Sequence, residues 1–432
     1  MRCLSWRPRF HRFIALPHVC FSNGRRCRRS ASILEIHPIK PVRIYLDHNA
    51  TTPVHPLVRD AMMRALTEDL GNPSSVHYYG QRAKAAIDDA RAAVAALIDA
   101  DASDIVFTSG GTEADNMAVR GALEARAAHG RRRLVTSAIE HEAVLNTARA
   151  LGRQGWPVTI VPVGASGVID PAAVAAALTP DTALVSVMHA NNEVGTVQPI
   201  TEIAALARAS GAWFHTDAVQ SVGKMPIAVR QWATAGVDLV SLSAHKFNGP
   251  KGIGALWVRR GLQLSPTSTG GRHERNRRAG TENVPGIAGF GAAADLARTL
   301  IAAGSHDIAA LRDHLEQAVL GQIPGTAVNG DPAARIPNTS NISFEGVEAE
   351  SLLIALDLEG IAVSTGAACS SGTLEPSHVL RAMGVPMART RSSLRFSLGH
   401  ETTRAEVDTL IARLPLLVDK LRRITRTAAG VR

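Results

Sequence analysis

The chain contains few cysteines. It has only four in 432 residues, and three of them, Cys3, Cys20 and Cys27, lie near its start. Cys369 is alone in the rest of the chain, so no disulfide framework is possible there, and no pair has the spacing of zinc ligands. Such sparing use of cysteine is typical of a reducing compartment, and we expect a cytoplasmic protein.

The chain also lacks a run of eighteen apolar residues, so the sequence predicts no membrane-spanning helix. Acidic residues are missing from the start, where Glu35 is the only acid among residues 1–43, against ten Lys and Arg. This segment accounts for the whole net charge of +9, because the other 389 residues are balanced. The high pI therefore gives no reason to expect a nucleic-acid surface on the folded body.

Residues 1–41 form a basic arm whose composition does not support a buried core, and we expect it to be disordered. Its Arg, Ser and lack of acids also suit a mitochondrial transit peptide or a translated upstream region. The chain ends soon after Leu421, and this ending makes the mitochondrial interpretation the less favoured one.

From Ile44 onward, short apolar strands alternate with helical patterns. Strands are predicted at 133–137, 158–163, 182–189, 213–216 and from Val237, with helices between them. This alternation predicts an α/β fold with a mostly parallel sheet and helices on both of its faces.

Polar residues follow the predicted strands at the point where each strand ends. In such sheets, ligands bind outside the carboxyl ends of the strands. We therefore expect one pocket to contain five of these residues, namely His141, Asn192, Asp217, Gln220 and Lys246.

Lys246 lies in the stretch VDLVSLSAHKFNGPKGIGALWV, between two buried strands. Burying an ammonium group without a partner is costly, and such a lysine is often one that forms a Schiff base. A solvated loop lysine is the alternative. A second stretch, from Asp104 to Asn116, predicts a strand, a turn with Gly111 and Thr112, and a helix whose first amides suit a phosphate. It matches neither the dinucleotide fingerprint nor the P-loop, and an ordinary connection remains possible.

A lysine, an acid one strand earlier and an anion-binding helix start together suit pyridoxal phosphate (PLP). Lys246 would hold the cofactor, and Asp217 would keep a proton on its ring nitrogen. His141 would lie over the ring or simply start a helix, and Gln220 would bind the phenolic oxygen. The phosphate would be held by Gly111, Thr112, Ser243 and His245.

Nine ordered motifs between about Ile44 and Arg423 resemble the NifS-type cysteine desulfurases, which are PLP enzymes of the class V aminotransferase group. They are LDHNATTP, GNPSSVH, FTSGGTEADN, EHEAVL, ANNEVGTVQPI, FHTDAVQSVGK, SAHKFNGPKGIG, RRAGTEN and SSGTLEPSHVLRAMGV.

The resemblance implies a fold-type I homodimer. We expect a large cofactor domain over residues 56–300 and a smaller α+β domain from 42–55 and 301–425. The implied reaction converts L-cysteine to L-alanine and leaves sulfur as an enzyme persulfide. The resemblance also assigns Thr281 to the phosphate of the other subunit, and Asn192 and Arg395 to the substrate carboxylate, although Arg395 alone would pass for a surface residue.

Cys369 stands in a run of Gly, Ala and Ser, where a mobile backbone can carry a nucleophile between sites. A free buried cysteine is the alternative. The resemblance makes Cys369 the persulfide-forming nucleophile, and it also suggests an iron–sulfur ligand shared with a scaffold protein. Expected partners are L-cysteine and a sulfur acceptor, with no nucleic acid and no membrane. The competing functions are a selenocysteine lyase or aminotransferase on the same fold, and a non-catalytic sulfur-relay docking protein.

Overall fold

A computed structural model describes residues 43–304, 306–366 and 376–430. The basic arm, and our expectation that it is disordered, lie outside these residues. Within them the strands are β1 Ile44–Tyr45, β2 Ile105–Thr108, β3 Arg133–Ser137, β4 Val158–Val161, β5 Thr182–Ser186, β6 Trp213–Asp217, β7 Leu239–Ser243, β8 Gly254–Val258, β9 Thr326–Asn329, β10 Thr339–Phe344, β11 Ile361–Ala362 and β12 Ser393–Ser397.

The α-helices in the same ranges are α1 Pro56–Thr67, α2 Tyr78–Leu97, α3 Gly111–Ala127, α4 Glu142–Arg153, α5 Pro171–Ala177, α6 Ile200–Ala209, α7 Val229–Ala235, α8 Val284–Ala303, α9 His306–Gln322, α10 Ala349–Leu358, α11 His378–Ala382, α12 Met387–Arg391 and α13 Arg404–Gly430.

A seven-stranded sheet organises the first part of the chain, in the order β2-β8-β7-β6-β5-β3-β4. Every neighbouring pair is parallel except those made by β8, which runs antiparallel to both β7 and β2. Because β8 is flanked on both sides by opposed strands, β2 points the same way as β7. The carboxyl ends of β2, β3, β5, β6 and β7 therefore meet at one edge, and the expected α/β fold is confirmed.

Helices cover both faces of this sheet, and the side chains of β6 show how the two faces differ. Phe214 is fully buried in the apolar layer beneath α1, α2, α6, α7 and α8. His215 and Asp217 point to the opposite face, where His215 lies 3.7 Å from Asp115 of α3. That face is apolar at the start of the strands and polar toward their carboxyl ends. Strand β7 shows the same alternation as β6, since Ser241 and Ser243 point to this face and Leu242 points to the other.

Helix α8 is long and apolar enough to cross a membrane by length and composition alone, which is weak evidence. It packs against α1 and α2 instead. A Cβ atom at Gly291 would lie 2.6 Å from the Ala90 Cα, so this contact requires glycine. The helical pattern of the sequence from Gly286 to Gln322 has no obvious break and predicts one continuous helix. The structure divides it into α8 and α9, because α8 ends at Gly304 with a φ of 107° that favours glycine.

A second hydrophobic cluster combines residues from both ends of the body. Ile44 and Leu46 pack with residues of β10, β12, α9, α10 and α13. Strand β1 pairs with β11, and β10 lies between β9 and β12 in an antiparallel sheet. The boundaries expected for two domains stay a prediction.

Candidate active site

A cavity of about 240 Å³ opens at the carboxyl edge of the large sheet. The five polar residues expected to share a pocket all line it. Its full lining consists of Asn49, Ala50, Gly111, Thr112, Asp115, His141, Met188, Asn192, Asp217, Val219, Gln220, Ser243, His245, Lys246, Gly366 and Arg395.

Lys246 ends a short 3₁₀ turn, Ala244–Lys246, that follows β7 directly. Its Nζ donates hydrogen bonds to the backbone carbonyl of Asn49 at 2.7 Å and to that of Ala50 at 2.9 Å. The amine is therefore held at the cavity wall by a polar turn far away in sequence. This placement agrees better with a functional lysine than with a solvated one.

Asp217 is the last residue of β6, and its side chain is buried at the floor of the cavity. The Val219 amide donates to its Oδ1 at 2.9 Å. Burial raises the pKa of this carboxyl, and the nearby His141 and Lys246 oppose that rise. A buried carboxylate is stabilised by a hydrogen-bonded partner that carries a proton and a positive charge, and a protonated pyridine nitrogen is such a partner.

His141 is the N-cap of α4, and its Nδ1 accepts a hydrogen bond from the Ala143 amide at 3.1 Å. Because Nδ1 is an acceptor, the proton of the neutral ring lies on Nε2. Burial lowers the pKa of His141, although Asp217 opposes the shift. The helix-start role and the cavity role are thus compatible, since one nitrogen caps the helix and the other is left for a ligand.

The turn between β2 and α3 forms the anion end of the cavity. Gly110 has a φ of 157°, and a Cβ atom at Gly111 would lie 2.9 Å from the Val219 side chain. Small residues therefore let the first amides of α3 face the cavity. The Ser243 hydroxyl across from them is buried, and it has no hydrogen-bond partner among the described residues. Burial lowers the pKa of the neighbouring His245 to about 4.

Arg395 lies at the opposite end, almost fully buried in β12 rather than on the surface. Its Nη2 forms an ion pair with the Asp47 Oδ1 at 2.6 Å, and its Nη1 donates to the Asn192 carbonyl at 2.9 Å. The Nε has no partner within the described ranges. A guanidinium that lines the cavity with an unused N–H can bind a carboxylate.

Sequence reasoning missed several residues of this site. Asn49 follows β1 in a polar turn, which was visible in the sequence but gave no sign of reaching β7. Asp115 lies one turn inside α3, where an acid usually faces solvent. Gly366 reaches the cavity through a φ of 86° that no motif revealed.

Two expected site residues are not among those brought together. Thr281 is exposed and does not line this cavity, which agrees with a role toward another subunit but does not test it. Cys369 lies outside the described residues, between Gly366 and His378. Within the described part of the chain, no group of three His, Cys, Asp or Glu side chains has a metal-binding arrangement, and the iron–sulfur role of Cys369 stays a prediction.

Comparison with known proteins adds to this geometry. The family profile described as aminotransferase class-V matches residues 44–410. The cysteine desulfurase of Cereibacter sphaeroides is 52% identical over 386 residues, which cover 89% of this chain and 97% of the relative.

Two solved structures are similar throughout the body. A NifS-like protein is 35% identical with a TM-score of 0.82, covering 88% of this chain and all of its own. A structure described as SspA in complex with cysteine is also 35% identical, with a TM-score of 0.72 and coverage of 82% and 98%.

Proposed function

Because the chain belongs to the aminotransferase class-V family, we propose that it is a PLP-dependent cysteine desulfurase. It converts L-cysteine to L-alanine and retains the sulfur. The observation that supports this most is the shared cavity, in which Lys246, Asp217 and His141 face a buried arginine. One end of the cavity suits an aromatic phosphate, and the other end suits the carboxylate of an amino acid.

The residues present fit PLP. Ser243 has a buried hydroxyl that needs a partner, and the first turn of α3 offers amides that Gly110 and Gly111 leave uncovered. Asp217 would hold a proton at the ring nitrogen, and Gln220 would donate to the phenolic oxygen. When bound, the cofactor supplies the electron sink that stabilises negative charge at the substrate Cα.

Lys246 would hold the cofactor covalently and then move the proton at the substrate Cα. Its Nζ donates to two backbone carbonyls of the turn after β1, which hold the amine beside the cavity. His141 lines the cavity, and its Nε2–H can donate a proton to the substrate and take it back.

Arg395 would bind the substrate carboxylate beside Asn192. Since its Nη2 is already paired with Asp47, the incoming carboxylate uses the unpaired N–H groups of the guanidinium or displaces that aspartate. Substrate binding is therefore coupled to the position of the Asp47 turn, which also holds Lys246 through Asn49 and Ala50.

The sulfur acceptor inside the enzyme is proposed to be Cys369. A Cys369 thiolate attacks the substrate sulfur, an S–S bond forms as the C–S bond breaks, and the substrate Cβ takes up a proton. Gly366, the last described residue before this cysteine, lines the cavity. Three further residues span at most about 11 Å, which keeps position 369 within reach of the site.

We further propose a homodimer in which Thr281 of one subunit completes the phosphate site of the other. Large apolar side chains are exposed on and around α1 and the start of α2, as expected for a covered surface. They are Val54, Leu57, Met63, Leu66, Leu70, Val76, Tyr78 and Tyr79.

The final acceptor is proposed to be a scaffold protein of iron–sulfur cluster assembly, for which Cys369 would supply the sulfur and share in ligating the cluster. Because the Cys369 thiol must stay reduced between turnovers, we propose that the protein lies in the cytoplasm. Isotope-labelled sulfur from cysteine should appear on a scaffold protein that is added to the purified enzyme.

The central experiment compares wild type with Cys369→Ser. Purified wild type should contain PLP, form alanine from L-cysteine and release sulfide in the presence of a reductant. Cys369→Ser should keep its PLP and bind cysteine, yet form no persulfide that mass spectrometry detects. Cys27→Ser, in the arm, is the matched control and should behave as wild type.

The outcomes separate the alternatives. Near-normal sulfide release by Cys369→Ser would remove the persulfide mechanism and leave the cofactor assignment standing. A PLP-loaded wild type that acts on selenocysteine but not on cysteine would indicate the lyase instead. Absence of turnover with any amino acid would indicate a docking protein.

A further inference from the structure

Lys224 is a second buried lysine close to the cavity, and the mechanism above does not use it. It lies one turn beyond Gln220, in the segment that follows β6, and its side chain is only 8% exposed. Its Nζ donates to the Gln220 Oε1 at 2.6 Å and to the Asn49 Oδ1 at 3.0 Å. Both of these acceptors belong to residues that line the cavity.

The surroundings of Lys224 are unusual for a lysine. No carboxylate within the described ranges lies at ion-pair distance from it. Burial, together with the nearby charges of Lys246 and Arg395, lowers the pKa of Lys224 well below its ordinary value. Its two acceptors match the two N–H bonds of a neutral amine, so the group is satisfied without a counter-ion.

The contacts of Lys224 fix the orientation of the Gln220 amide. The amide oxygen faces the lysine, and its Nε2 donates to the Asn49 carbonyl at 2.9 Å. A reversed amide would place its oxygen against that carbonyl oxygen, and two acceptors repel each other. With the lysine in place, the second Nε2–H is the only one left for a group in the cavity.

The same contacts fix Asn49. Its side-chain oxygen also accepts from the Asn338 Nδ2 at 3.1 Å, and its Nδ2 donates to the Thr339 Oγ1 at 2.8 Å. The Asn49 carbonyl accepts from both Gln220 and Lys246. One backbone oxygen thus links the orientation of the glutamine to the resting position of the functional lysine.

We propose that Lys224 is a positioning residue for the desulfurase reaction, acting through Gln220 and Asn49. It orients the Gln220 amide toward the phenolic oxygen of the cofactor. It also holds the Asn49 carbonyl that accepts a hydrogen bond from Lys246. This inference rests on the proposed function, since it assigns Lys224 a role toward the same cofactor.

A second, smaller cavity beside Lys224 determines which substitutions can test the proposal. It has about 30 Å³, room for a water molecule, and both Lys224 and Lys246 line it. Truncation to alanine would let water replace the amine. Lys224→Met fills the same space without donors, Lys224→Gln restores donors, and Lys420→Met makes the same chemical change at an exposed site on α13.

The first readout is the pH titration of the absorption band of the bound cofactor. Losing a hydrogen-bond donor raises the pKa of a phenol, so the midpoint should rise in Lys224→Met. Lys224→Gln should return it toward wild type, and Lys420→Met should leave it unchanged. We also expect kcat to fall roughly tenfold to a hundredfold while KM for cysteine changes less, because Lys224 contacts Gln220 and Asn49 rather than Arg395.

The second readout is a double-mutant comparison. In a Gln220→Leu background the amide is already absent, so adding Lys224→Met should shift the midpoint no further. Equal shifts in both backgrounds would show that Lys224 does not act through Gln220 and would overturn the proposal. A normal midpoint and kcat in folded, PLP-loaded Lys224→Met would also overturn it.

If Lys224→Met does not fold, Lys224→Leu, which also removes both donors, replaces it in the two readouts. A Lys224→Leu variant with a raised midpoint supports the proposal, and a folded, PLP-loaded one with neither a shift nor a loss of kcat refutes it. Failure of the function proposed above would be recognised separately, by the absence of alanine formation in wild type.

Discussion

The two sides of the cavity are built in different ways. The sheet side comprises Gly111, His141, Asp217, Ser243 and Lys246, each of which ends a strand of one sheet or lies in the turn after it. The turn side is formed by Asn49, Ala50, Asn192, Gly366 and Arg395, which lie in turns or in β12. The sheet side receives its geometry from regular hydrogen bonding, whereas the turn side is held by individual polar contacts.

The contacts of the turn side span most of the chain. The Asp47 and Arg395 ion pair joins residues 348 positions apart, and so does the hydrogen bond from the Asn49 amide to the Ser397 Oγ. Because of this difference, the cofactor meets a rigid side of the cavity, and the substrate meets a side that is anchored separately. Variants on the two sides should therefore fail in different ways.

The largest effect is expected on the sheet side, from Lys246→Ala. Turnover should fall by several orders of magnitude, because no other amine on this side can hold the cofactor and move the Cα proton. Reduction with borohydride followed by mass spectrometry should find no PLP attached to the chain. Lys251→Ala, at an exposed lysine five residues on, is the control and should retain both properties.

On the turn side, Arg395→Lys should raise KM for cysteine roughly tenfold to a hundredfold while PLP content stays normal. The charge is kept, but the planar fork that matches a carboxylate is lost. Steady-state kinetics and cofactor absorbance measure the two properties. Arg298→Lys, an exposed arginine of α8, is the matched control. Loss of PLP with an unchanged KM would mean that the two sides are not separable.

A buried acid next to the sheet side makes the stability of the fold depend on pH. Glu140 precedes His141, and burial raises its pKa to about 8 even though Ser137 and the Met188 amide donate to it. The folded state therefore binds an extra proton between the ordinary glutamate pKa and pH 8. Stability contributed by this group is present at low pH and is lost as the pH rises through that range.

Glu140→Gln should remove this dependence. We expect its Tm at pH 9 to exceed that of wild type by a few degrees, with little difference at pH 5. Thermal unfolding of the cofactor-free protein at both pH values measures it. Glu401→Gln, at an exposed position, should follow wild type. A parallel decline in wild type and Glu140→Gln would show that another group is responsible.

The smallest effect is expected from removal of residues 1–40. Both sides of the cavity begin after this segment, at Asp47 and beyond, and the arm differs from the body in its excess of basic residues. PLP content and desulfurase rate should remain unchanged, as measured on purified protein. A large loss of soluble protein would show that the arm packs on the body.

The sheet side was largely predictable from the pattern of strands, whereas on the turn side that pattern predicted only Asn192, and Arg395 was assigned by resemblance alone. Asp217 and Lys246 stand at the ends of apolar strands, and the parallel topology brings such ends together whatever their separation in the chain. Nothing comparable predicts that Asn49 meets Gln220 and Lys224, because that contact depends on the seating of β1 beside β11. Asp115 was missed because helical periodicity alone did not mark position 115 as buried.

The reversed direction of β8 also affects interpretation of the sequence. Residues 253–258 were expected to form a strand, but the alternating pattern is the same for either direction. The structure explains the reversal, since the ten-residue connection after β7 is too short for a crossover helix.

The ion pair between Asp47 and Arg395 has a consequence for the order of assembly. During synthesis β2 to β8 emerge well before β12, so the sheet side can fold while the turn that carries Asp47 still lacks its anchor. Contacts of such long sequence separation also form slowly. We therefore expect the substrate side of the cavity to be completed only after the chain has been synthesised through β12.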